Sequence, residues 1–323
     1  MANRSRARPV AARLSLPEHP GMRFLHFSDL HIGLGLRRVP FLDWAGKRLA
    51  GGLNLLRGRG RHFAEAARKA LALVDLDERL RPDLVLCTGD LTALATHAEF
   101  AAAKELLEPL PDGSRFVVTP GNHDVYTLPT VLEGRFAKYF ENGLATDLPD
   151  LRTDGAWPLV RLPDDDTAIV AVNSARNNLL PWRSSGRIPP AQIEGLEAVL
   201  SDPRVAGRFV FLMTHYAPCL ADGSPDTKEH GLQNLDEFLA ASAAIERGAL
   251  LCGHVHDVFR QVIDAFAGEV FCAGSATYEG REGAWVFDRD SQGVWSGRRA
   301  TWRGDVYEVE AEGEPVAGQG GSR

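Results

Sequence analysis

The sequence predicts an α/β fold, two packed sheets within one domain, and three observations carry that prediction. From Arg23 to Val118, apolar strand-like runs alternate with helical periods as β–α–β–α–β. The second half is dense in short alternating segments joined by glycine-bearing turns, which predicts a second sheet packed on the first. Polar side chains follow strand after strand at its C-terminal end, where sites in open α/β sheets gather.

The elements follow in order. Arg23–Ser28 reads as a short apolar strand ended by Asp29-Leu30-His31. Residues 36–62 differ in kind. Arg37, Arg38, Lys47, Arg48, Arg57, Arg59 and Arg61 stand against one acid, Asp43, with Phe41, Trp44 and several leucines between them, and the stretch reads as an insertion. A helix is expected over Phe63–Leu80, closed by Arg81-Pro82, then a strand over Asp83–Thr88 ending in Gly89-Asp90. A second helix runs from about His97 to Glu108. The strand Arg115–Val118 then feeds Thr119-Pro120-Gly121-Asn122-His123-Asp124, where Gly121 is expected to let the backbone turn sharply. Residues 129–142 read as helix, and Trp157–Leu162 and Thr167–Val172 as a hairpin. Pro189-Pro190 opens a further helix, Arg208–Thr214 is a buried strand ending in His215, and Asn234 caps a helix to about Glu246. Ala249–Cys252 ends in Gly253-His254-Val255-His256. Strands are expected at Val258–Phe266, Glu269–Ala273, Ala284–Phe287 and Thr301–Val309. The domain is placed at 22–309, between a disordered basic arm at 1–21 and a disordered Gly- and Glu-rich tail at 310–323.

Composition narrows the function. The chain has 323 residues, 44% hydrophobic and 24% charged, as expected of a soluble enzyme. A net charge of -7 argues against sequence-independent nucleic-acid binding, and no nucleic-acid partner is expected. Cys87, Cys219, Cys252 and Cys272 are widely spaced with no CxxC, so buried free thiols in a reducing cytoplasm are expected. No run approaches the ~20 apolar residues of a membrane-spanning helix.

Five strand ends carry donor groups: Asp29 and His31; Asp90; Asn122 with His123; His215; and His254 with His256. Taken singly, each histidine reads as a hydrogen-bonded core or surface residue, and either aspartate as a helix cap. Their joint arrival at strand ends predicts a site. In Asp29-x-His31 and His254-x-His256 the two members are expected to share one side of an extended segment. Carboxylates, an amide and imidazoles together suit Mn, Fe or Zn better than Ca²⁺. The set is too large for one catalytic ion with open positions and suits two ions sharing a carboxylate, about 3.5–4 Å apart.

These motifs, in this order across residues 29–256, resemble the calcineurin-like metallophosphoesterases. The resemblance implies a four-layer αββα sandwich of two mixed β-sheets flanked by helices, with a dinuclear site at the sheet edge. It implies Asp29, His31 and His256 on one ion, Asn122, His215 and His254 on the other, and Asp90 bridging. His123 is then the unligated catalytic histidine, and Asp124 supports its neighbours rather than binding metal. Many members carry a carboxylate three residues after the bridging Asp, where this chain has Ala93, which puts the orientation of His123 in question.

The function expected is hydrolysis of a phosphodiester, a cyclic nucleotide or a broader diester, by a metal-bridging hydroxide with a histidine assisting. Residues 37–61 suggest an alternative, UDP-diacylglucosamine pyrophosphate hydrolysis in lipid A synthesis. There the insertion meets an anionic lipid or the inner membrane, and Arg37, Arg38, Lys47 and Arg48 touch substrate. The plainer use of the insertion is to cover the core or form a homo-oligomer contact. A repair-type nuclease and a non-catalytic binding module share the motifs. The acidic balance counts against the first, and the complete donor set against the second. The location expected is cytoplasmic.

Overall fold

The computed structural model describes residues 21–34, 60–108, 110, 115–180 and 182–317. Expectations placed on 1–20, on residues 36–59 of the insertion and on 318–323 lie outside the described residues.

In chain order the elements are β1 (Arg23–Phe27), α1 (Ala66–Leu80), β2 (Leu84–Cys87), α2 (His97–Leu107), β3 (Phe116–Val118), α3 (Leu128–Leu132), α4 (Arg135–Phe140), β4 (Leu159–Arg161) and β5 (Thr167–Ala171). There follow α5 (Pro190–Ser201), β6 (Phe209–Met213), α6 (Leu235–Ala241), β7 (Gly248–Cys252), β8 (Val258–Val262), β9 (Glu269–Ala273), β10 (Gly283–Arg289), β11 (Trp295–Trp302), β12 (Tyr307–Val309) and β13 (Glu314–Pro315). One sheet has the order β12-β11-β10-β1-β2-β3, with β13 on β11; the other runs β4-β5-β6-β7-β9-β8. Both are mixed: β1, β2 and β3 are parallel, as are β5, β6, β7 and β9, and antiparallel strands complete each sheet.

Alternation along β6 explains the layering. Phe209, Phe211 and Met213 point into the core between the sheets, whereas Val210 and Leu212 join the core beneath α5 and α6. Phe211 is the centre of the inter-sheet contact, its ring 5.2 Å from Phe24, 4.9 Å from Trp295 and 5.2 Å from Phe287. On the far side, α1 buries Leu73, Leu76 and Leu80 against the first sheet and ends where Arg81 takes φ 48° before Pro82. Thr96 starts α2 with a capping box: its hydroxyl accepts from Glu99 N at 3.1 Å, and the Glu99 carboxylate accepts from Thr96 N at 3.1 Å. The result is the four-layer αββα sandwich in one domain.

Four local expectations differ from what is found. The second half does not all form the second sheet: β10 returns to pair antiparallel with β1, and β11 to β13 extend the first sheet outward. Residues 310–317 are not a free tail, because Glu314 and Pro315 pair with β11 and Val316 is buried. The helix expected over 129–142 is split by Gly134, at φ 60°, into α3 and α4. Asn234 precedes α6 without capping it, its side chain instead holding Ile188 by accepting from N at 3.1 Å and donating to O at 3.0 Å.

Candidate metal centre

The predicted donors leave five parallel strands drawn from both sheets: Asp29 and His31 after β1, Asp90 after β2, Asn122 and His123 after β3, His215 after β6, and His254 and His256 after β7. The expectation of extended segments is overturned. Asp29, His31, Asp90, His254 and His256 have φ of 55°, 45°, 53°, 70° and 58°. Side chains other than glycine seldom adopt this left-handed backbone, at a cost of about 1–3 kcal/mol each. Backbone bonds hold it in place: Asp29 N donates to Gly89 O at 2.9 Å, His31 N to Asp90 O at 2.9 Å, and Gly253 N to His215 O at 2.9 Å. The Asp29 carboxylate also accepts from His254 N at 3.0 Å, stitching one sheet's loop to the other's.

Two glycines allow this crowding. A Cβ on Gly121 would overlap the Asp90 carboxylate and amide, and one on Gly253 would overlap Ser28 Oγ and the Asp29 carboxylate. Gly121 is thus needed for close approach, and its φ lies outside the left-handed region that a sharp turn would use.

Two groups of donor atoms result. His31 Nε2 and His256 Nε2 are 3.0 Å apart, and Asp29 Oδ1 lies 3.4 Å from the first and 3.1 Å from the second. Asn122 Oδ1 lies 3.2 Å from His215 Nε2 and 3.0 Å from His254 Nδ1. Between them, Asp90 Oδ2 is 3.6 Å from His31 Nε2 and 3.6 Å from His215 Nε2. Atoms bound to one transition-metal ion at ~2.0–2.2 Å sit roughly 3–3.6 Å from each other, so these spacings suit coordination.

The protonation pattern agrees. Burial holds the His215 and His254 rings below the usual imidazole range, so each is neutral near pH 7 and carries one N–H. His215 Nδ1 donates to Thr88 O at 2.7 Å, and His254 Nε2 donates to His230 O at 3.1 Å. The remaining nitrogen of each ring presents a lone pair to Asn122 Oδ1, itself an acceptor. Three lone pairs converging in a buried site call for a cation. Burial also pushes the Asp29 carboxyl up, but hydrogen bonds from His256 and His31 outweigh it and hold it well below the ordinary carboxylate range.

His123 sits beside this set, grouped with His31 and Asp90 within 4.8 Å. Its Nδ1 lies 2.6 Å from Ala93 O and its backbone N donates to Asp90 Oδ1 at 2.7 Å. A backbone carbonyl thus orients the ring where a carboxylate side chain was expected to be missed. Asp124 is buried and turned away, accepting from Gly121 N, Leu91 N and Thr92 N at 3.0, 3.2 and 3.0 Å. It ties the β3 loop to the β2 loop.

Sequence reasoning missed the wall on the His254 side. The His230 ring packs on His254, tilted by 31° with centroids 4.1 Å apart, and its Nδ1 is 2.6 Å from Asp226 Oδ2. Tyr216 packs on the other ring contact, 4.1 Å from His254. The only sequence signal was the Asp226–His230 spacing of four within a loop.

Two mixed sheets with acidic, amide and imidazole groups gathered at one rim define a metal-dependent phosphoesterase fold. The chain belongs to the calcineurin-like phosphoesterase family, whose pattern it matches over residues 22–258. It is 25% identical over 178 residues to a probable cyclic nucleotide phosphodiesterase of Rhodococcus erythropolis, a match covering 54% of this chain and 52% of that relative. The chain therefore spans about half the length of the curated relative it matches. Among solved structures it is similar to a dimetal phosphatase from Danio rerio, at 16% identity and a TM-score of 0.63, covering 92% of this chain and 99% of that one. At that identity the likeness is one of fold.

Proposed function

We propose that this chain is a phosphodiesterase with a dinuclear centre, acting on cyclic nucleotides or related diesters. The observation that carries the reading is the position of Asp90 Oδ2, 3.6 Å from one imidazole nitrogen of each donor group, as a shared carboxylate requires. In this reading Asp29, His31 and His256 hold one ion, Asn122, His215 and His254 the other, and Asp90 both. When bound, the ions neutralise phosphoryl charge and supply a nucleophile at neutral pH by acidifying water.

The chain's own groups do the rest. His123 donates its Nδ1 proton to Ala93 O, so Nε2 would meet a phosphoryl oxygen or the leaving oxygen as the second N–H of the imidazolium. With an ion bound, Asp29 would face it as a carboxylate and His31 and His256 would offer it their Nε2 lone pairs, and the buried His215 and His254 stay neutral as ligands must. The diester preference draws on the likeness to the Rhodococcus relative, a probable cyclic nucleotide phosphodiesterase. The UDP-diacylglucosamine alternative rests on residues 37–61, mostly outside the described residues, so the diester reading stands ahead of it.

A panel tests this: 3′,5′-cyclic nucleotides, bis(p-nitrophenyl) phosphate, p-nitrophenyl phosphate and UDP-diacylglucosamine, each with Mn²⁺ and with chelator. Metal-dependent diester cleavage exceeding monoester cleavage is expected. Preference for the monoester or the pyrophosphate would replace the reading.

A further inference from the structure

The loop between β5 and α5 presents a surface that the metal centre does not use. At its tip Leu179 is 82% exposed, Trp182 73% and Leu180 43%. Large apolar side chains crowded into one protruding tip mark a contact rather than a scattered surface residue. The same loop, residues 173–189, holds Arg176, Arg183 and Arg187 and no acid, in a chain whose net charge is -7. The Arg176 guanidinium is held below its usual range, first by burial and then, against the pull of Tyr216, by the charges of Arg183 and Arg187, so the three cations share one patch.

The base of the loop is fixed. Arg176 Nε donates to Ser185 O at 3.2 Å, and Asn178 Nδ2 donates to the same oxygen at 2.9 Å. The Tyr216 hydroxyl donates to Ser184 O, and the Tyr216 ring fills the space a side chain on Gly186 would need. Ser184 N donates to Glu229 O at 2.9 Å and Gly186 N to Gly231 O at 3.1 Å. That facing segment, residues 226–231, adds Asp226, Lys228 and Glu229, one net negative charge, with Asp226 paired to His230. An apolar tip on a rigid base, basic on its own loop and faced by a segment with one net negative charge, stands beside the donor group that includes His254.

We propose that this loop docks the protein on an anionic phospholipid surface, with Leu179, Leu180 and Trp182 entering the interface and Arg183 and Arg187 meeting headgroup phosphates. Tryptophan and leucine flanked by arginine suit the boundary between headgroups and acyl chains. A protruding tip would need a matching pocket on a protein partner, whereas a bilayer accepts it without one. Docking turns the rim bearing the donor groups toward the membrane, and it stands whatever the natural substrate is.

The test is co-sedimentation of the full chain with vesicles of phosphatidylglycerol and phosphatidylethanolamine, against vesicles of phosphatidylcholine alone. Salt-sensitive binding to the anionic vesicles is expected, lowered roughly tenfold by Trp182→Ala or Leu179→Ser and about fivefold by Arg183→Gln with Arg187→Gln. Melting curves and soluble-diester turnover, unchanged in these variants, separate lost docking from lost folding. A blue shift of tryptophan emission on anionic vesicles, absent in Trp182→Phe, supports the same contact. Three results overturn it: no vesicle binding, equal binding to both lipids, or binding that these variants leave intact. Self-association abolished by Trp182→Ala, without vesicle binding, would assign the tip to a second copy and also overturn it.

Discussion

His123 Nδ1 lies 2.6 Å from the backbone oxygen of Ala93, and because a carbonyl only accepts, the ring proton is on Nδ1. The ring also stacks on Tyr126 at 5.2 Å, so its orientation is fixed from two sides. Position 93 therefore contributes through its main chain, which any residue supplies. In the proposed reading this makes His123 a positioned group whose Nε2 would meet substrate as the second N–H of the imidazolium.

His123→Ala should lower kcat by about 10²–10⁴-fold while metal content stays at the wild-type level. Loss of an ion in that variant, measured by elemental analysis, would make His123 a ligand instead.

Gly253→Ala should push a methyl group into Ser28 and the Asp29 carboxylate. The expected cost is about 1–3 kcal/mol of stability and a 10–100-fold loss of metal affinity, since Asp29 and His254 both shift. A chelator competition titration reads the second effect, and wild-type affinity would show that the loop relaxes without moving its donors.

Asp77 gives a pH dependence away from the centre. Burial lifts its carboxyl to about 6, against Arg115 at 3.6 Å. A folded-state value above the unfolded one means the folded chain binds this proton more tightly. The stability so contributed is full below pH ~4 and lost as pH rises through about 6. Asp77→Asn should therefore gain on the order of 1 kcal/mol at pH 7–8, discounted for partial solvent access, and flatten the slope of melting temperature between pH 4 and 6. A variant that melts below wild type at pH 8 would contradict this.

Phe211→Ala should cost about 3–5 kcal/mol, because its ring bridges Phe24 and Phe287 in one sheet from β6 in the other. Chemical denaturation measures it, and a loss under about 1 kcal/mol would mean the sheets repack.

The strands carrying the donors were legible because Arg23–Phe27, Leu84–Cys87 and Phe209–Met213 are short apolar runs with polar groups at one end. β11 was legible only at its end. Its inward face includes Gly297, where the rings of Phe271 and Phe287 occupy the space, and its opposite face carries Arg298, paired with Asp288, so no apolar alternation appears. The return of β10 to β1 depends on pairing between distant segments, which local pattern does not encode. Identities of the donor residues could be read, but not the left-handed backbone at Asp29, His31, His254 and His256, since nothing but adjacent glycine hints at it. His230 holds His254 through a carbonyl, a contact with no residue signature.

The central claim is that Asp90 is shared between two ions, and anomalous diffraction from crystals grown with Mn²⁺ tests it most directly. Two peaks about 3.5–4 Å apart, one on each side of the Asp90 carboxylate, are predicted. One peak, or two that Asp90 does not touch, would contradict it.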